Sequence, residues 1–104
     1  MAVIRNSLAL ALLLAVPALG TPAAAGQIAS ACSASDRAGG NIRLCGCIQA
    51  VADRMLTRDD QRLAASFFKD PQRAQDVRMS KTDRDNLFWD RYERFGQAAA
   101  QNCN

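Results

Sequence analysis

Four cysteines, at positions 32, 45, 47 and 103, are the side chains best equipped for chemistry in this chain. Two of them sit in Cys45-Gly46-Cys47, where two chemistries compete. As a loop, the triplet would bring two thiols together for disulfide exchange or for a soft cation such as Cu(I). As part of a helix, it would hold them about 200° apart around the axis, at about 100° per residue. A Cys45–Cys47 disulfide then cannot close without breaking the helix. The surrounding residues favour the helix. Over positions 42–56, Leu44, Ile48, Val51, Ala52 and Met55 recur at helical spacing on one face. Gly46, Gln49, Ala50, Asp53 and Arg54 fall mainly on the other. Gly46 costs this helix about 1 kcal/mol. With one thiol at each border of the apolar face, each is expected to reach a different partner segment.

An even number of cysteines in an oxidising compartment predicts two disulfides. One ties Cys32 to the 42–56 helix and one ties Cys103 to it. Cys32–Cys47 with Cys45–Cys103 is narrowly preferred over Cys32–Cys45 with Cys47–Cys103. On the chain-entropy account the short loop stabilises by about 3 kcal/mol and the long one by about 4 kcal/mol.

Other chemistry is sparse. The chain contains no histidine, which removes Ser-His-Asp and Cys-His catalysis and histidine-ligated zinc. It has no P-loop and no dinucleotide-type glycine pattern. No catalytic residue, metal ligand or cofactor is therefore expected, and the reading is of a non-enzyme. Asp85, Asp90 and Glu93 read as salt-bridge partners at i,i+3 and i,i+4 among arginines rather than as paired catalytic carboxylates. Trp89 lies off the main aromatic stripe and is the candidate surface contact.

The elements that position these residues follow along the chain. Residues 1–25 read as a secretory signal peptide: Arg5, then Leu8 to Val16 as an apolar core, Pro17, and Ala23-Ala24-Ala25 at the cleavage site. The apolar run is too short to span a bilayer, which needs about 20 residues. Ala29-Ser30-Ala31-Cys32 weakly resembles a lipobox, so a lipid on Cys32 is an alternative fate. Residues 26–104 form one small domain. Loss of the leader removes only Arg5, leaving 12 basic against 10 acidic side chains. That balance is too slight for nucleic acid, and no transmembrane segment remains.

Residues 26–41 read as a short apolar turn (Ile28, Ala29, Ala31, Cys32), a Gly39-Gly40 breaker, and Asn41 capping the central helix. Thr57 caps a second helix ending near Lys69, with Leu63, Ala64, Phe67 and Phe68 inward. Asp70-Pro71 starts a third over about 71–79. Ser80 or Thr82 caps a last helix over about 83–101. Its stripe Phe88, Tyr92, Phe95, Ala99 and Cys103 reads as core. The fold class is all-α: a bundle of three to four helices stapled by two disulfides after a cleaved signal peptide. So small a core is marginal alone, and the staples are expected to be needed.

Leu44-Cys-Gly-Cys-Ile-Gln49, Phe67-Phe-Lys-Asp-Pro71, Val77-Arg-Met-Ser80 and Phe88-Trp-Asp-Arg-Tyr92 together resemble a group of small exported alphaproteobacterial proteins often labelled "arginine transporter". The resemblance covers most of residues 26–104 and implies arginine handling. Without a membrane span, that means an accessory or binding role, and a free guanidinium would want carboxylates in a pocket. The leading functional expectation is a periplasmic or secreted, non-catalytic domain that binds a protein or a small solute. A thiol-redox or Cu(I)-handling protein using Cys45 and Cys47 is one alternative, and an accessory to arginine uptake is another.

Overall fold

The computed structural model describes residues 26–36 and 41–104; the signal-peptide reading of residues 1–25 and the Gly39-Gly40 breaker lie outside them. The described residues form five helices and no strand. These are α1 (Gln27–Ser33), α2 (Ile42–Met55), α3 (Arg58–Lys69), α4 (Pro71–Arg78) and α5 (Asp83–Asn102). The all-α, disulfide-stapled architecture is as expected, with one helix more than the sequence suggested. The extra element is α1, where an apolar turn was expected.

Local signals set most of the boundaries. Asn41 caps α2, its side chain accepting from the Leu44 backbone N–H at 3.0 Å. Thr57 and Asp60 form a reciprocal capping box at the start of α3. Asp70 stands before α4 without a side-chain cap, and Pro71 supplies the preset φ of its first position. Of the two candidates before α5, Thr82 is the cap, accepting from Asp85 N–H at 3.2 Å. Ser80 supports it, its hydroxyl 3.2 Å from that of Thr82.

α1 lies against α2 and α3, and α5 closes the other side of α2 while α4 bridges α3 and α5. The main core joins Val51, Ala52 and Leu56 to Ala64 and Phe67 of α3, Val77 of α4, and Phe88, Phe95 and Ala99 of α5. Phe67 meets Phe88 and Tyr92 edge-on, with ring centroids 5.9 and 5.3 Å apart, a favoured geometry for aromatic pairs. The α5 aromatic stripe is thus core, as its spacing implied. Ala29, Cys32 and Cys45 make a smaller second cluster beneath α1.

The α2 face is rotated from the expected one. Val51 and Ala52 are buried as anticipated, but Met55 is 37% exposed and Gln49, assigned to the polar side, is 1% exposed. The reason is α1. It covers the side of α2 that carries Cys45 and Gln49, so that side becomes interior.

Candidate functional site

The thiols carry the sharpest chemistry that the sequence offers. α2 runs unbroken through Gly46 and points Cys45 and Cys47 at different elements. Cys45 is bonded to Cys32 of α1, and Cys47 to Cys103 at the end of α5. Cys45 and Cys47 are not joined to each other, as the helical geometry required. The preferred pairing of Cys32 with Cys47 and Cys45 with Cys103 is corrected to its alternative. Because α1 docks on the Cys45 side of α2, Cys32 meets Cys45 and leaves Cys47 to face the α5 terminus. No cysteine is free, so the oxidised chain offers no thiolate as nucleophile or soft-metal ligand. The Cys32 sulfur is likewise consumed, leaving none for a thioether lipid. The two bonds differ in setting. Cys32 and Cys45 are fully buried, whereas Cys47 and Cys103 are only half-buried.

A buried polar node fixes how α1 meets the rest. The first N–H groups of a helix have no partner within it, and the N-cap of α1 is Gly26, which has no side chain to offer. Gln49 fills that role from across the fold: its Oε1 accepts from the Ala29 backbone N–H at 2.9 Å. Its Nε2 donates to Gln61 Oε1 at 2.8 Å and to Asp53 Oδ1 at 2.7 Å. Gln61 in turn donates to Asp53 and to the Ala52 and Leu56 carbonyls at the end of α2. A Cβ on Gly26 would overlap the Gln49 carboxamide, so the absence of a side chain at this position makes room for the cap. Among the described residues no buried side-chain N or O lacks a partner.

A cleft of about 640 Å³ opens between α3, α4 and α5. Arg62, Arg73, Arg84 and Arg91 line it together with Asp59, Asp60 and Asp85. Leu63, Ser66 and Phe88 complete its wall. Its fixed point is the pair Asp60–Arg91. The Arg91 fork donates Nε to Asp60 Oδ2 at 2.8 Å and one terminal nitrogen to Oδ1 at 2.9 Å, a two-point match of planar groups. The Asp60 side chain is only 8% exposed. Arg91's hydrogen bonds, helped by the Thr57 backbone N–H, hold the Asp60 carboxyl below its ordinary range although burial pushes the other way. The same contact raises Arg91. A second pair, Arg62–Asp59 at 3.4 Å, is exposed on both sides and contributes little. Among the described residues these are the ion pairs.

The expected carboxylate pairings therefore need correcting. Asp85, Asp90 and Glu93 make no ion pair among the described residues. Glu93 instead accepts from the Trp89 ring N–H at 2.8 Å. Trp89 itself is half-buried, leaning on Tyr92 with centroids 5.1 Å apart; it borders the core rather than standing free on the surface. The charged pair that matters, Asp60–Arg91, spans 31 residues between two helices. Asp60 stands in the first turn after the Thr57 cap, but nothing local marks Arg91 as its partner.

A second hollow of about 450 Å³ lies between α1 and α3, lined by Ala31, Ala34 and Ala65 together with Arg62 and Lys69. No described helix is long and apolar enough to cross a membrane. The chain matches no protein-family model, no curated protein and no solved structure.

Proposed function

We propose that this chain is an exported, non-catalytic binding domain whose ligand is a small solute held in the α3–α4–α5 cleft. One observation carries the reading. Four guanidiniums and three carboxylates converge on one solvent-open cavity of about 640 Å³, within the size range of small-molecule sites. Charges clustered on a concave wall, with one pair locked in place by two hydrogen bonds, make a preorganised polar surface. The two disulfides and the leader-like residues 1–25 support a periplasmic or secreted location, since disulfides persist in oxidising compartments. The bonding of Cys45 and Cys47 to separate partners favours binding over thiol exchange. An arginine-accessory role is a narrower form of the same proposal, with Asp85 the carboxylate left to receive a guanidinium.

The test is a ¹H–¹⁵N NMR titration of the oxidised chain with sets of anionic, cationic and neutral solutes. Saturable shifts concentrated at Leu63, Ser66 and the first turn of α5 are expected for at least one solute. Shifts confined to other surfaces, or none with any solute, overturn the proposal.

A further inference from the structure

Resting on that reading of the cleft, we infer that its ligand is gripped through an oxyanion, a carboxylate or phosphate group, rather than through a guanidinium. Several of the lining charges are already engaged with one another. Asp60 gives both oxygens to Arg91, and Asp59 is within 3.4 Å of Arg62. Among the lining residues that leaves Arg73, from α4, and Arg84 and Asp85, from α5. Neither Arg73 nor Arg84 has a carboxylate within the 4.0 Å reach of an ion pair among the described residues.

The unspent charge is thus two guanidiniums against one carboxylate. A cationic ligand would have to draw Asp60 away from Arg91, share the solvent-exposed Asp59 with Arg62, or make do with Asp85 beside two like charges. An anionic ligand breaks nothing. Two forked donors arriving from different helices suit the planar or tetrahedral oxygens of a carboxylate or phosphate. Asp85 then remains as an acceptor for a hydroxyl or ammonium on the same ligand, and Leu63 and Phe88 offer an apolar wall to its carbon chain.

The experiment takes apart the two ends of the candidate ligands. Lactate presents a carboxylate with a hydroxyl, inorganic phosphate presents the phosphate group alone, and agmatine presents the guanidinium of arginine without its carboxylate. Each is titrated into the oxidised chain at matched low ionic strength, with the Arg side-chain Nε–H and Leu63 amide signals followed by NMR. Saturable shifts with lactate or phosphate, and none with agmatine, are expected; the anion that responds tells a carboxylate site from a phosphate site. Arg73→Gln and Arg84→Gln are each expected to weaken that binding about tenfold, the loss of one charge-assisted contact. Both residues are exposed, and an unchanged backbone spectrum checks that the fold is kept.

If agmatine fills the cleft and neither anion does, the inference is wrong while the cleft remains a binding site. Anion shifts that persist undiminished in both variants also overturn it. If neither these probes nor any solute of the wider screen moves a cleft residue, the binding reading itself falls, and the inference with it.

Discussion

Replacing Gln49 with methionine should cost the fold about 2–4 kcal/mol, although the swap keeps a long, flexible side chain in place and opens little cavity. Ala29 is fully buried, so its N–H, deprived of Gln49 Oε1, becomes an unpaired donor at a cost of about 1–3 kcal/mol. Gln61 Oε1 loses its donor and adds about 1 kcal/mol. Asp53 is exposed and turns to water, adding almost nothing. Urea unfolding of the oxidised protein reads the sum. With a slope near 1 kcal/mol per molar, typical of the smallest domains, the midpoint should fall by about 2 M or more. A midpoint within about 0.5 M of the parent would mean that α1 does not depend on this cap, and the account of the node would be wrong.

The same node predicts that Gly26→Ala destabilises the parent by about 1–3 kcal/mol through overlap with the Gln49 carboxamide. In a Gln49→Ala background that penalty should largely vanish, which a double-mutant cycle measures; strict additivity refutes the overlap. The Asp60–Arg91 pair predicts an acid dependence. Since the folded state lowers the Asp60 pKa from its ordinary 3.8, its stabilisation is complete above about pH 4 and is lost as pH falls through the lower folded value. Asp60→Asn should cost about 1–3 kcal/mol at neutral pH, discounted because Arg91 is partly exposed, and should flatten the decline of stability below about pH 4. A variant whose acid decline matches the parent's rejects the pairing as its source. For the disulfides, graded reduction followed by alkylation and mass spectrometry should label Cys47 and Cys103 first and Cys32 and Cys45 last, because only the former pair is partly open to solvent. The reverse order would contradict the burial pattern.

What the sequence made legible was what local chemistry dictates. Caps at Asn41, Thr57 and Thr82, the proline start of α4 and the aromatic stripe of α5 each depend on residues within a turn or two, and all are found. Helix α1 escaped because its cap is not local: Gly26 gives no signal, and the group that serves it lies 20 residues beyond Ala29, on another helix. Once α1 is missed, Gln49 looks like a solvent-facing amide and the two cysteine pairings look nearly equal, so both errors share one cause. The cleft escaped for a related reason. Arginines and aspartates spaced along separate helices read as solvated faces, and only the packing of α3, α4 and α5 gathers them around one cavity. Nothing in the order of residues says that Asp60, rather than Asp85 or Asp90, is the acid an arginine takes.

The bond between Cys47 and Cys103 has a topological consequence. It closes a covalent ring over a sequence separation of 56, and the whole of α3, α4 and α5, hence every wall of the cleft, lies inside it. Whatever strain falls on the segment between, its two ends stay clasped. A protease that cuts once at the α3–α4 junction would linearise the ring without releasing a fragment. The nicked chain would migrate as one piece until a reductant was added, and would then fall into two.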